Sequence, residues 1–251
     1  ISDYEVVTET KAIKSTVEEK IMKYDKETNT TTEVDMDEIK QLLASKTSKE
    51  KGANAYTTSS YNPNKNFNIL SPYSTFAMST YLHVSDTSKF PYSTISKITC
   101  DGGHASGTII GKNLAITAAH CVMDGNANVY SNWSIMPGYN NGAIFGSTGW
   151  SQIYYSSAWA SDHSPQNDWC ICVLGDNIGS NSGWCGLRSY SSDSGLNNQN
   201  ANAYGYPATA SFSGTEQWYT GGKISNVTSG SYDIGTTFYG RNKWWTCFLV
   251  R

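Results

Sequence analysis

The sequence predicts an all-β protein preceded by a short helical segment, on three observations. Beyond residue 71 the chain falls into short runs rich in apolar and β-branched residues, at 106–110, 113–117, 134–136, 150–155, 169–174, 203–206 and 217–224. Gly-, Asn- and Ser-rich stretches separate these runs, as turns separate strands. Charge is also uneven: residues 1–51 hold 9 of the 18 Lys and Arg and 12 of the 21 Asp and Glu, so a charged segment precedes a weakly charged one. Strand spacing alone leaves a sandwich and closed barrels both open.

In the charged segment, Ile13, Val17 and Ile21 stand four apart and predict a helix over 9–25. A second helix is predicted from Asp35, a good N-cap, through Ile39, Leu42 and Leu43. Residues 52–71 show no period and read as a linker. A chain of 251 residues can hold one large β domain beside such a segment.

Net charge is −3, which gives nucleic acid or an anionic membrane no electrostatic support as a partner. No run of about 18 apolar residues is present to span a bilayer. The chain starts with Ile1 and no apolar stretch follows, so a signal peptide is absent or already removed. All six cysteines, at 100, 121, 170, 172, 185 and 247, fall in the second region without the paired spacing of a zinc site. They read as disulfide formers in an oxidising compartment, with connectivity left open. Cys170 and Cys172, one residue apart on a strand, point to one face.

The strongest chemical signal is Ile116-Thr117-Ala118-Ala119-His120-Cys121, after the run at 106–111. A histidine acting as general base must be fixed in place beside small residues that let its ring face a nucleophile. This segment resembles the Thr-Ala-Ala-His-Cys motif of the trypsin/chymotrypsin superfamily. The resemblance implies that His120 is the catalytic base and that Cys121 is bonded to Cys100. A triad also needs a carboxylate to orient the imidazole. Asp168 opens the apolar run Trp169-Cys170-Ile171-Cys172-Val173-Leu174, at the edge of a core, and follows His120 by 48 residues, the setting and spacing of the family's aspartate. Asp162 is a weaker candidate because no apolar strand follows it. His83, His104 and His163 read as surface or loop residues, with His104 in the hairpin before the motif, near a cleft.

Further segments resemble the bacterial glutamyl-endopeptidase (V8-like) branch: Phe90-Pro91-Tyr92, the stretch from Ile178 to Arg188, Gly205-Tyr206-Pro207, Trp218, Gly221-Gly222-Lys223-Ile224 and Tyr232-Asp233-Ile234. Together they cover about residues 74–242. The resemblance implies a fold of two antiparallel six-stranded barrels, the chymotrypsin-like double β-barrel, with an N-terminal helical propeptide. It implies a secreted, extracellular, monomeric zymogen that hydrolyses polypeptides and needs no cofactor and no metal. Residues 1–70 would be propeptide and linker, and 71–251 the protease domain. Cys185 is expected to pair with Cys170 or Cys172, and Cys247 to lack a family-type partner.

The family pattern then breaks. Where Gly-Asn-Ser-Gly-Gly-Pro belongs, the chain reads Gly240-Arg241-Asn242-Lys243-Trp244-Trp245-Thr246-Cys247-Phe248. The serine expected at the position of Lys243 is missing, and so are the strands that would complete the second barrel. Ser182 and Ser194 each sit in part of a nucleophile motif, but before Gly205-Tyr206-Pro207, out of the family's order. The genetic code accounts for the break. Lys-Trp-Trp-Thr-Cys-Phe can be written AAG TGG TGG ACC TGT TTT, and removing one A gives AGT GGT GGA CCT GTT, which is Ser-Gly-Gly-Pro-Val. A one-base insertion near codon 243 would thus have abolished the nucleophile. The alternative is a non-catalytic protease homologue acting as a binding module.

Overall fold

The computed structural model describes residues 19–47, 81–187, 196–209, 212–228, 231–234 and 245–248. In chain order these form β1 (Ile21–Asp25), β2 (Thr30–Val34), α1 (Met36–Thr47), β3 (Leu82–His83), β4 (Ile95–Cys100), β5 (Gly103–Gly111), β6 (Leu114–Thr117), β7 (Ser134–Pro137) and β8 (Trp150–Ser156). They continue as α2 (Ser157–Asp162), β9 (Cys170–Leu174), α3 (Gly179–Ser182), β10 (Asn200–Gly205), β11 (Ala208–Thr209), β12 (Phe212–Ser213), β13 (Trp218–Thr228), β14 (Ser231–Ile234) and β15 (Trp245–Phe248). Every strand pairing is antiparallel, and the all-β prediction holds.

The first sheet runs β2-β1-β8-β9-β6-β5-β4-β7. A bridge of two backbone hydrogen bonds between Ile135 and Thr148, 2.8 and 3.1 Å, ties β7 back to the approach to β8. Strands β4 to β9 thereby wrap around a core of Ile98, Ile109, Ala115, Ile135, Ile153, Cys172 and Leu174. Alternation along the strands sorts side chains between two faces. Ala115, Ile153, Cys170, Cys172 and Leu174 point inward. Leu114, Tyr154, Ile171 and Val173 point outward, yet they are also buried, in a second cluster with Ile39 of α1. The apolar run of β9 is continuous because both of its faces are covered.

The cover on the outer face is the N-terminal segment, where the structure corrects the sequence reading. Residues 21–25, predicted as the end of a helix, form strand β1 and pair with β8 from Ile21↔Ser156 to Asp25↔Gln152. The turn to β2 is fixed by Asp25, whose Oδ1 accepts the N–H of Glu27 and Thr28, and by Asn29 in a left-handed conformation. Residues 30–34, Thr-Thr-Thr-Glu-Val, favour a strand through β-branching. The helix predicted from Asp35 is present, and the Asp35 carboxylate accepts the Glu38 N–H at 2.8 Å as an N-cap. Residues 19–47 are docked on the first sheet, through the β1–β8 ladder and the packing of α1 on its outer face. The linker at 52–71 and the first part of the predicted helix lie outside the described residues.

The second sheet has the order β14-β13-β10-β15, with β3 on the other side of β13's start, and among the described residues it does not close into a barrel. The segment after the motif break supplies its edge, since β15 pairs with β10 from Gly205↔Trp245 to Asn202↔Phe248. The two sheets meet at Ile95, Tyr204 and Tyr206. The Tyr206 N–H donates to Ser106 Oγ at 2.9 Å and its hydroxyl to the Ile95 carbonyl at 3.3 Å, linking the sheets through buried polar groups that are satisfied.

Candidate active site

Strand pairing brings the two candidate residues together. Thr117 of β6 is opposite Cys170 of β9, so His120, three residues past one strand end, meets Asp168, two residues before the start of the other. His120 lies in a helical turn, 119–121, flanked by the small residues Ala118 and Ala119. A second turn, 165–167, delivers Asp168. That turn is held by the buried Asn167 side chain, which donates to Asp162 Oδ2 at 2.9 Å and Ser164 Oγ at 2.8 Å. Asp162, the weaker carboxylate candidate, therefore buttresses the loop that carries Asp168. A pattern of Asp162, Ser164 and Asn167 between α2 and β9 was the available signal for this support, and sequence reasoning did not use it.

Asp168 grips His120 twice: Oδ1 accepts the His120 backbone N–H at 2.9 Å, and Oδ2 lies 2.5 Å from the ring Nδ1. Burial, the largest single influence on the imidazole, pushes its pKa down. The Asp168 hydrogen bond, the adjacent Cys121 sulfur and the Asp168 charge together outweigh it, raising His120 from 6.5 to about 10. The arrangement therefore stabilises an imidazolium, the species a general base becomes on taking a proton. The other ring nitrogen, Nε2, is buried and has no hydrogen-bond partner among the described residues.

His120 lines a small cavity of about 20 Å³ with Cys100, His104, Cys121 and Tyr130, so His104 does border the same space. The hairpin leading to this cavity turns at Gly102, pressed against the Tyr130 ring, and at Gly103, whose φ of 121° suits only glycine. His83 lies 3.7 Å from Glu216, and the exposed His163 caps α2. Ser182 is buried in α3, with its hydroxyl directed at backbone carbonyls at 3.4 and 3.0 Å. Ser194 and Lys243 lie outside the described residues.

The cysteines depart from the expected pairing. Cys100 Sγ lies 3.9 Å from the Cys121 carbonyl oxygen, so the two residues are neighbours, but no disulfide joins any two of Cys100, Cys121, Cys170, Cys172 and Cys185. Cys170 and Cys172 share a face, 3.9 Å apart at sulfur. Cys185 does not reach either of them. Its N–H bonds to the Ile109 carbonyl, which directs the thiol to the Thr94 hydroxyl at 3.2 Å. Burial raises the Cys185 thiol to about 11. No group of three or more His, Cys, Asp or Glu placed to hold a metal occurs among the described residues.

The sequence model of the family described as Trypsin matches residues 83–242, well over half of the chain. The chain belongs to the trypsin family. A glutamyl endopeptidase of Bacillus licheniformis is 29% identical over 144 residues, 57% of this chain and 44% of that protein. An extracellular metalloprotease of Bacillus subtilis is 24% identical over 155 residues, 59% of this chain and 49% of that protein. The chain thus spans about half the length of the curated relatives it matches. Among solved structures, a Glu endopeptidase in complex with MPD has a TM-score of 0.54 at 25% identity, covering 62% of this chain and 76% of its own. A thermostable serine protease, AL20, from an extremophilic microorganism shares the fold with a TM-score of 0.54 at 24% identity, covering 63% of this chain and 79% of its own. These protease neighbours bear out the chymotrypsin-like fold class, here with a second sheet left open among the described residues and an N-terminal segment paired to the first.

Proposed function

We propose that the chain is a secreted serine endopeptidase precursor in which His120 is the general base and Asp168 its orienter, and that it is inactive as written because Lys243 replaces the nucleophile. The observation that carries this reading is the two-point grip of Asp168 on His120 with Nε2 left unpaired. Nδ1 is committed to the carboxylate, so Nε2 is the atom left to exchange a proton with a nucleophile. Peptide hydrolysis would proceed through an acyl-enzyme at pH values above the raised His120 pKa, where the neutral imidazole takes the serine proton and then returns it to the leaving amine. The reading takes residues 1–70 as pro-segment and linker, 71–251 as the protease domain, and a polypeptide as the substrate of a monomer. Cleavage beside acidic residues is suggested by the name of the Bacillus licheniformis relative.

Resequencing the gene across codon 243 and assaying the frame-restored protein on a peptide library tests the proposal. Hydrolysis by the restored protein, abolished by His120→Ala, is the expected result. A gene with no serine-encoding frame there would favour the non-catalytic reading.

A further inference from the structure

We propose that the free edge of β8 and the outer face of β5, β6 and β9 form a docking surface for a hairpin and helix, and that residues 19–47 occupy it as a lasting component of the first barrel. They would stay bound after the chain is cut in the connecting stretch. The proposal rests on the precursor reading only in placing a natural cut there. The docking itself is independent of catalysis.

The first support is strand addition. Five consecutive residues of β1 pair with β8, and the ladder is extended at its ends by Ser157 N–H to the Lys20 carbonyl at 2.8 Å and Lys26 N–H to the Ser151 carbonyl at 2.9 Å. Such main-chain bonding satisfies an edge that would otherwise stand open. The second support is apolar burial. Ile39 sits among Ile110, Leu114, Tyr154, Ile171 and Val173, each less than 9% exposed, with Ile21, Val34, Leu42 and Leu43 packed around them. Removing the segment would uncover a contiguous apolar patch of the kind folded surfaces avoid. The third is side-chain matching across the junction: Asp25 accepts from Gln152 at 2.7 Å, and Glu38, held within the segment by Lys23 at 3.0 Å, accepts from the Tyr154 hydroxyl at 3.1 Å. The sequence carries the same message, because β9 is apolar on both faces and its outer face therefore calls for a cover.

None of residues 19–47 lines the cavity beside His120. The segment covers the back of the strands that hold His120 and Asp168, so its contribution is to support that pair from behind.

The test uses the full chain with a recognition sequence for a site-specific protease placed within residues 52–71. After cutting, the N-terminal fragment should co-elute with the remainder in equal amounts on size exclusion. Amides of 19–47 should keep the hydrogen-exchange protection of the uncut chain. Ile39→Asp should release the fragment after the cut, and Leu42→Asp, at the margin of the patch, serves if Ile39→Asp prevents folding. A fragment that elutes alone from the unsubstituted chain, or amides of 19–47 exchanging as in an unfolded chain before any cut, would overturn the proposal. Continued co-elution of the Asp variants would overturn the assigned surface. These readouts need no active enzyme, so the proposed function can fail while this inference stands, and the reverse.

Discussion

Asp168 holds His120 through both carboxylate oxygens, and the consequences are measurable at single residues. Asp168→Asn removes the charge and the strongest ring partner, so the His120 pKa should fall markedly from its raised value, as read by NMR titration of the ring protons. The linkage follows in sign. A histidine raised from 6.5 to about 10 contributes stability that is fully present below the unfolded value and is lost as pH climbs through the folded one. Urea midpoints of the parent should therefore decline between about pH 6.5 and 10 relative to Asp168→Asn, and parallel curves would refute the coupling. One position away, Asn167 makes two side-chain hydrogen bonds that fix the turn. Asn167→Ala should cost about 0.5–1.5 kcal/mol by thermal or urea denaturation, because its partners Asp162 and Ser164 reach solvent and can turn to water.

At the scale of elements, the N-cap of α1 offers a local test. Asp35→Ala removes the acceptor for the Glu38 N–H and should destabilise the helix by about 1 kcal/mol, seen as faster amide exchange in 36–47 with little change in β9. This cap was legible because a capping residue and an apolar stripe are local features. The hairpin before it was not. Ile21 continued a helical stripe from Ile13 and Val17, while β1 is specified by β8, a partner about 130 residues away. β4 was missed for a related reason: Ile95, Ser96, Lys97 and Ile98 are all buried, so the alternation that marks a half-exposed strand is absent. His120 and Asp168 were legible because each sits in a short motif at a strand end. Their meeting depended on the β6–β9 register, which the motif's known fold implied and the strand pairing supplies. The place of Cys185 could not be read, because it is set by Ile109 of β5 and by Thr94 in the helical turn before β4, both distant in sequence.

At the scale of the whole molecule, the first barrel presents a formed His120–Asp168 pair, and on the proposed reading the open second sheet is where the nucleophile would come from. The 251-residue chain should therefore show no hydrolysis, because loss of the nucleophile costs on the order of 10⁶-fold in turnover even when its partners remain. Deleting one A near codon 243 and following the restored frame should recover activity, because it returns the serine and the two following glycines together. Lys243→Ser alone should not. Trp244 and Trp245 would still stand where glycines let the chain turn tightly and bring backbone N–H groups to the oxyanion. A fluorogenic peptide assay on the chain, the Lys243→Ser variant and the frame-restored protein separates these cases. Activity in Lys243→Ser would show that position 243 alone was at fault. Activity in the unaltered chain would mean that His120 and Asp168 serve a nucleophile from elsewhere in the sequence, and the assignment of position 243 would fall.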